Sequence, residues 1–302
     1  MSQIVELGKP IYAFSNENTP VATVKSGDRF TVESYDCFEG QITSGDTTMD
    51  TINWDRINPA TGPIFVESAQ PGDVLAVNIH GIQISDSGVI ATGKNLGVMG
   101  HRMDDDFTVK MIPIEDEEAV FNEKVRIPLN KMIGVIGVAP KNEAVSCGTP
   151  GNHGGNLDTV LITEGATIYF PVFHEGALFG LGDMHAAMGD GEIGVSGIEV
   201  AGKADITLEV KKGQSINHPL VKNKDGLSIL VSAETLDEAA KLAVEEMIDL
   251  LLPHTDMDLA EMTMLMSAIG HSQISQIVDP LLTARFFVPQ WFLDAYDIKI
   301  FN

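Results

Sequence analysis

The middle of the chain, residues 151–192, reads GNHGGNLDTVLITEGATIYFPVFHEGALFGLGDMHAAMGDGE, and this stretch decides how the protein is built. It begins and ends with glycine-rich segments that carry imidazole, carboxylate and amide side chains. Two apolar runs between them, residues 159–163 and 167–173, have the composition of strands. Functional sites are commonly built on loops that a rigid scaffold positions. We therefore expect two polar loops, joined by a short β-unit, to meet and form an active site.

The first part of the chain has the pattern of short strands separated by turns. Residues 21–24 and 30–34 are β-branched and aromatic runs around Ser-Gly-Asp, and a similar phrase recurs at residues 64–67 and 74–79 around Gln-Pro-Gly-Asp. Glycine and proline pairs of this kind mark turns. Strand, turn and strand in this order predict hairpins within a β-sandwich or a jelly roll.

Helical periodicity is confined to the end of the chain. Thr235 precedes the run 236–252, in which apolar residues recur at three- and four-residue spacings. Glu238, three residues after Thr235, completes a capping-box pattern. A second helix is predicted at residues 257–269.

These patterns predict a mainly β fold with a smaller α/β part, an α+β arrangement. We predict three regions. An N-terminal β-rich domain at residues 1–145 is sandwich-like or jelly-roll-like. A central β-barrel-like region at residues 146–225 carries the active-site motifs, and a C-terminal α/β part at residues 226–302 holds the helices.

The composition is that of a soluble globular protein, with 44% hydrophobic and 21% charged residues in a chain of 302. The 43 acidic and 19 basic side chains give a formal net charge of −24. Nucleic acids and anionic membrane surfaces both attract clustered lysine and arginine. We therefore expect neither a nucleic acid nor a membrane as a partner.

The cysteine content and the N-terminus favour a cytoplasmic location. Cys37 and Cys147 are the two cysteines, too few for a disulfide framework. Reduced thiols are the rule in the cytoplasm. The N-terminus has no basic segment followed by an apolar run, so we expect no signal peptide. No apolar run approaches the ~20 residues of a membrane-spanning helix.

Asp183 and His185 form the first candidate group. They are two residues apart, so on an extended segment both side chains point to one face. A carboxylate and an imidazole can together hold a divalent metal, and such a ligand set suits zinc, manganese or iron. A hydrogen-bonded turn would explain an isolated pair equally well. The nearby His153, Asp158 and Glu192 favour the functional interpretation.

The loop Asn-His-Gly-Gly-Asn at residues 152–156 is the second candidate group. Its glycines, Gly155 among them, let a backbone approach a small ligand closely. Asn152 and Asn156 carry amide groups suited to a substrate carbonyl or an oxyanion. The alternative is a glycine-rich turn with a surface histidine, His153.

Two further residues have both a chemical and a structural interpretation. Asp36 lies at the end of a predicted strand before a glycine turn, where it could be a metal ligand or could cap the turn. Cys147 precedes His153 by six residues, so a cysteine–histidine nucleophile is conceivable. An inert buried cysteine is the alternative, because reactivity requires a lowered thiol pKa. No serine elbow, Walker loop or dinucleotide fingerprint is present.

These motifs resemble the acetamidase/formamidase family. The resemblance is carried by GNHGGNLD at residues 151–158, GDMHAAMGDGEIGVSGIEVAG at residues 182–202 and VESYDCFEGQI at residues 32–42, with shorter phrases at residues 62–67 and 272–278. It implies a cytoplasmic hydrolase of short aliphatic amides such as formamide and acetamide. It also implies β-domains with a small α/β part, a metal-dependent reaction and a homo-oligomer.

With the resemblance, each candidate side chain receives a predicted role. The predicted ligands of a divalent metal, for which zinc is expected, are Asp36, His153, Asp183 and His185. The predicted proton carriers are Asp158 and Glu192. The predicted substrate-binding residues are Asn152, Gly155 and Asn156.

The predicted reaction is attack of a metal-activated water on the amide carbonyl. Two alternatives stay open. In one, Cys147 is the nucleophile and His153 its base. In the other, the protein is not an enzyme, and its polar loops bind a metal or a small solute.

Overall fold

The computed structural model describes residues 3–6 and 8–301, and these residues form a mainly β structure in which the helices come late. The strands are β1 Gln3–Val5, β2 Ala13–Phe14, β3 Ala22–Val24, β4 Arg29–Ser34, β5 Ala60–Val66, β6 Val74–Ile84, β7 Ser87–Thr92, β8 Thr108–Glu115, β9 Glu118–Val120, β10 Arg126–Pro128, β11 Met132–Gly137, β12 Val145–Ser146, β13 Gly154–Asn156, β14 Thr167–Pro171, β15 Phe179–His185, β16 Glu199–Val200, β17 Gly202–Lys211, β18 Leu220–Lys222, β19 Gly226–Ala233, β20 His271–Gln276 and β21 Leu282–Pro289. The α-helices are α1 Leu236–Leu251, α2 Leu259–Ile269 and α3 Gln290–Ala295, and the 3₁₀ turns are Met49–Thr51, Trp54–Arg56, Gly100–Arg102 and Leu252–His254.

Two large sheets organise the molecule. One has nine strands in the order β1-β4-β17-β6-β14-β18-β19-β21-β20. The other has ten, with the main path β10-β9-β8-β7-β16-β15-β11-β13 and with β5 and β3 attached beside β15. Both are open sheets, so the mainly β fold is confirmed but the predicted barrel-like character of the central region is not. Strand composition shows that a segment is extended, but it does not show which strand will pair with it.

The main core lies between these sheets. It joins Val32 and Val77 of the nine-stranded sheet to Ile133 and Leu181 of the ten-stranded sheet. Every residue of β11 and β15 is buried, which fits strands covered on both faces. Polar side chains on these two strands are therefore held in a dry, rigid environment.

The C-terminal helices confirm the predicted capping and periodicity. Thr235 accepts a hydrogen bond from the backbone of Glu238, and α1 buries a stripe at four-residue spacing that includes Ala239, Ala243 and Met247. Asp258 caps α2 in a complete capping box. Among the described residues, none of the helices combines the length and the apolar character that crossing a bilayer requires.

The predicted strands of the first region are present, but the predicted hairpins are wrong. β3 pairs in parallel with β5, whereas β4 pairs with β1 and β17. β5 and β6 likewise belong to different sheets. The turns between these strands carry the chain from one sheet to the other, because both strands bury their apolar faces in the shared core. The predicted strand at residues 159–163 is also wrong, since this segment forms turns.

The division into three regions stays a prediction. The nine-stranded sheet draws strands from each of them, namely β4, β14 and β21. The core between the sheets is likewise built from the first and the central region.

Gly182→Ala tests the close contact between β15 and β5. A Cβ at Gly182 would overlap the carbonyl oxygen of Pro59, which is backbone and cannot rotate away. We expect the substitution to lower the free energy of unfolding by about 1–3 kcal/mol, as overpacking of a rigid core does. Urea unfolding measures the change.

Gly81→Ala is the matched control, because Gly81 also lies in a strand but has nothing within 4 Å of the added Cβ. It should change the free energy of unfolding by no more than about 0.5–1 kcal/mol. Equal losses in the two variants would contradict the packing argument.

Candidate active site

Five ionisable side chains from one end of the ten-stranded sheet converge. Asp158 follows β13, Asp183 and His185 lie on β15, Glu192 lies in the next loop, and Glu199 lies on β16. Each is at most 7% exposed. The sheet register explains part of the convergence, because His185 is paired directly with Glu199 across β15 and β16.

His185 is the centre of this group. Its Nε2 lies 3.2 Å from Oε2 of Glu199, 3.5 Å from Oδ1 of Asp183 and 3.8 Å from Oδ1 of Asp158. All four of these atoms are buried without a hydrogen-bond partner. Buried polar atoms normally have partners, because leaving them unpaired is costly. Three carboxylate oxygens thus surround one imidazole nitrogen, and nitrogen and carboxylate oxygen are donors that suit a divalent cation such as zinc, manganese or iron.

The charges of the group also favour a cation. Burial and neighbouring carboxylates raise the pKa values of Asp158, Glu192 and Glu199 well above their ordinary range. Burial acts to lower the pKa of His185, but Glu199 and Asp183 outweigh it and raise that pKa. Burial also acts to raise the pKa of Asp183, which the His185 charge outweighs, so that this pKa is lowered. The cluster therefore stabilises positive charge at its centre.

Three of the carboxylates stand on unusual backbone. The φ angles of Asp158, Asp183 and Glu192 are +38°, +54° and +47°. These are left-handed values that cost a non-glycine residue about 1–3 kcal/mol each, and such strain gathers at functional sites. The shared distortion supports the interpretation of this cluster as a functional centre.

Two glycines provide the space for these side chains. A Cβ at Gly134, on β11, would lie 2.5 Å from Oδ1 of Asp158 and 2.7 Å from Oδ2 of Asp183. A Cβ at Gly197 would lie 2.6 Å from Nδ1 of His185. Any larger residue at either position would displace the cluster.

A cavity leads to the cluster. It has a volume of about 610 Å³, and Glu192 and Gly197 form part of its wall together with Asn130 and Ser196. Glu192 is the most exposed of the five cluster residues, at 7%, whereas Asp158 and His185 are 0% exposed. Glu192 is therefore placed between the cavity and the buried interior of the cluster.

His153 lies outside the cluster, although it was predicted to be a metal ligand. Its carbonyl accepts from the backbone of Val138, whereas His185 pairs with Met132. Met132, on β11, and Val138, just after it, are six residues apart, which is about 20 Å along a strand at ~3.3 Å per residue. The ring packs edge-on against Phe14 at 5.5 Å, and burial lowers its pKa to about 4. The structure does not support the metal-ligand prediction for His153, since this histidine packs in the core away from the cluster.

The predicted substrate-binding residues separate in the structure. Asn152 is exposed. Gly155 is buried, and a Cβ at this position would overlap the carbonyl of Thr149. Asn156 is buried, donates from Nδ2 to Oδ2 of Asp279 at 3.2 Å, and has an unpartnered Oδ1. Of the three, Asn156 alone reaches the neighbourhood of the cluster, while Asn152 and Gly155 do not.

Asp36 takes the structural role that was its alternative. Its carboxylate accepts backbone hydrogen bonds from Phe38 at 2.9 Å and from Gly40 at 3.1 Å, so it caps the turn. Its neighbour Cys37 comes closer to the centre, because the ligand atoms of Cys37, Asp183 and Glu199 lie within 4.8 Å of one another. The geometry therefore does not support Asp36 as a metal ligand.

Three residues at or near the cluster were not predicted from the sequence: Glu199, Cys37 and Asp279. Glu199 lies inside the motif at residues 182–202, and its pairing with His185 would have identified it had the register been known. Asp279 immediately follows the phrase at residues 272–278, and its charge acts on Asp158. No local signal indicates that the C-terminal part contributes to a site built by the central stretch.

The structure does not support the cysteine–histidine nucleophile. Cys147 is fully buried, and its thiol donates to the carbonyl of Ile11 at 3.5 Å. Burial raises its pKa, whereas a nucleophilic cysteine needs a lowered one. Burial lowers the pKa of its proposed base, His153, to about 4, which makes this imidazole a weak base.

Comparison with known proteins agrees with the motifs. The model of the acetamidase/formamidase family matches residues 13–147 and 141–294. A recombinant predicted acetamidase/formamidase from the thermophile Thermoanaerobacter tengcongensis is 52% identical, with a TM-score of 0.95 over 99% of this chain and 98% of that one. Acetamidase from Bacillus halodurans is 42% identical, with a TM-score of 0.94 over 96% of this chain and 98% of that one.

A formamidase from Methylophilus methylotrophus is 27% identical, in a match that covers 64% of this chain and 61% of that protein. The chain thus spans less than two thirds of the length of this relative. The family match extends over most of the chain and includes every residue of the cluster. The chain belongs to the acetamidase/formamidase family.

Proposed function

We propose that this protein hydrolyses short aliphatic amides, such as formamide and acetamide, to a carboxylate and ammonia. The observation that carries the proposal is the set of four unpartnered buried atoms centred on His185, with Glu192 between them and a cavity. Relatives named formamidase and acetamidase support the substrate class.

We propose that Asp158, Asp183, His185 and Glu199 hold a divalent metal ion, for which zinc is the expected identity. A metal in such a site lowers the pKa of a water molecule and polarises a carbonyl. The four side chains are suited to this task because burial keeps water from competing for them. The proposal changes one predicted role, since Asp158 becomes a ligand rather than a proton carrier.

Glu192 is the proposed proton carrier. Burial and the nearby Asp158 raise its pKa, which moves this pKa toward neutral pH. A carboxyl group whose pKa lies near the working pH both accepts and donates a proton efficiently. During hydrolysis it would accept a proton from the attacking water and donate it to the leaving nitrogen, so that amide and water become acid and ammonia.

Asn156 is proposed to orient the substrate. Its Nδ2 is engaged by Asp279, which leaves Oδ1 as the free group. A free carbonyl oxygen accepts hydrogen bonds, so it suits the N–H of an amide substrate rather than an oxyanion. The role of Asn156 in substrate binding is retained with this change of partner.

The remaining properties are proposals from composition and family resemblance. We infer a cytoplasmic, homo-oligomeric protein whose partner is the small amide itself. The net charge of −24 supports the view that neither nucleic acid nor an anionic membrane is a partner.

The direct test is an ammonia assay on a panel of short amides, with metal content measured on the same preparation. We expect ammonia from formamide or acetamide, loss of activity after removal of metal, and recovery when zinc is restored. A metal-containing protein that releases no ammonia from any amide would favour the non-catalytic alternative. Full activity without metal would contradict the metal proposal but not the amidase proposal.

His185→Ala should abolish both metal binding and turnover, because it removes the central ligand. Zinc at 1,000 times its Kd should stabilise the wild-type protein by about 4 kcal/mol, whereas the variant should show no such gain. Metal analysis and thermal unfolding with and without zinc measure this. His101→Ala, at an exposed histidine, is the control and should retain both properties. Zinc-dependent stabilisation of the His185 variant would refute the ligand assignment.

Glu192→Gln separates proton transfer from metal binding. The amide keeps the size of the side chain but cannot carry a proton, so kcat should fall by about 10²–10⁴-fold while metal content stays unchanged. Steady-state kinetics with metal analysis measure both. Glu175→Gln, at an exposed carboxylate, should leave kcat unchanged. A Glu192 variant with wild-type kcat would eliminate this residue as the proton carrier.

A further inference from the structure

A buried arginine of the C-terminal part contacts the loop that carries Glu192. Arg285, on β21, is 3% exposed. It donates from Nη1 to Oδ1 of Asp190 at 2.8 Å and from Nη2 to Oδ2 at 2.6 Å. This is the two-bond geometry that makes arginine–carboxylate pairs strong and directional. Asp190 precedes Glu192 by two residues.

The guanidinium is itself held in place from the other side. Its Nε donates to Oε1 of Gln273 at 2.9 Å, and Nη1 also donates to the carbonyl of Ile274 at 3.0 Å. A third contact joins Nη1 to Oγ of Ser275 at 3.3 Å. Because these partners all lie on β20, Arg285 is a fixed point of the sheet rather than a mobile surface side chain.

The backbone of the same loop is joined to β20 as well. The amide of Gly191 donates to the carbonyl of Ser275 at 2.7 Å, and the amide of Ile277 donates to the carbonyl of Gly191 at 3.1 Å. β20 is an edge strand of the nine-stranded sheet, so the loop takes up hydrogen-bonding groups that this edge would otherwise leave unpaired. The segment before Glu192 is thus attached to one sheet, whereas the rest of the cluster belongs to the other.

Glu192 needs such an attachment. Its φ of +47° is unfavourable for a residue with a side chain, so the neighbouring structure must hold the backbone in this conformation. After Glu192 the loop is held by the amide of Val195, which donates to the Glu192 carbonyl at 2.9 Å, and by the amide of Val98, which donates to the Ile193 carbonyl at 2.8 Å. Before Glu192, the Glu192 amide donates to the Gly189 carbonyl at 3.2 Å, and the Asp190 ion pair and the two bonds of Gly191 attach the segment to β20 and β21.

We propose that Arg285 and Asp190 form a positioning pair, which holds the Glu192 carboxyl between Asp158 and the cavity. The proposal rests on the proposed function of Glu192 and adds two residues that do not touch the substrate. It also assigns the C-terminal part a task in the reaction: its sheet edge sets the position of a proton carrier that the central stretch supplies.

Asp190 is the residue to change, because its side chain is 44% exposed whereas that of Arg285 is buried. Asp190→Ala removes the ion pair, and Asp190→Asn keeps one acceptor. We expect kcat to fall at least tenfold in the first and less in the second, since small displacements of reacting groups are costly. KM should stay within about threefold of the wild-type value. Metal content should be unchanged, because the metal ligands are not altered.

Asp205→Ala is the matched control. Arg29 also donates two bonds to Asp205, from Nε at 3.0 Å and from Nη2 at 2.6 Å, but this pair lies on β4 and β17, near the opposite edge of the nine-stranded sheet from β20. Asp205→Ala, which removes this ion pair, should leave kcat within twofold of the wild type. A kcat for Asp190→Ala that is also within twofold would overturn the proposal, as would a loss of kcat that merely follows a loss of bound metal.

Hydrogen–deuterium exchange tests the positioning without an activity assay. The amides of Gly191 and Ile277 should exchange faster in Asp190→Ala than in the wild type, and at the wild-type rate in Asp205→Ala. Unchanged exchange in Asp190→Ala would overturn the proposal. If the wild-type protein hydrolyses no amide, the proposed function fails, and the exchange result still decides whether the pair holds the loop.

Discussion

The burial of several carboxylates around one imidazole is the constraint on which this structure depends. Taking Asp158, Asp183 and Glu199 out of water is unfavourable unless positive charge accompanies them, and His185 is the basic side chain that the described chain places among them. A flexible scaffold would relieve the repulsion by moving the acids apart. β11 and β15 prevent this, because every residue of both strands is buried in the core.

The same rigidity explains the strained backbone and the glycines. Left-handed φ angles at Asp158, Asp183 and Glu192 direct side chains where regular strand geometry would not. Gly134 and Gly197 then leave room for the directed groups. The strained backbone directs the carboxylates toward His185, and the two glycines leave room for them there. Both features are needed to bring the carboxylates to His185.

Sequence reasoning succeeded where the chemistry is local. The two-residue spacing of Asp183 and His185 predicted that these two side chains lie together, and Oδ1 of Asp183 lies 3.5 Å from Nε2 of His185. It failed where sheet register decides. His153 and Asp158 are five residues apart in sequence, yet β13 runs between them and places them at different ends of β11. Glycine turns were found correctly but were assigned to hairpins, because a turn signal does not show whether the chain returns to the same sheet.

Register also decides which acid suits which role. Asp158 and Glu192 have the same chemistry and comparable sequence context, and sequence alone made both of them proton carriers. In the structure both oxygens of Asp158 are buried without partners beside His185, whereas Glu192 lines the cavity. A ligand must be shielded from water and a proton carrier must reach the substrate. The difference between the two residues therefore comes from depth in the molecule, and depth is set by sheets that assemble from distant parts of the chain.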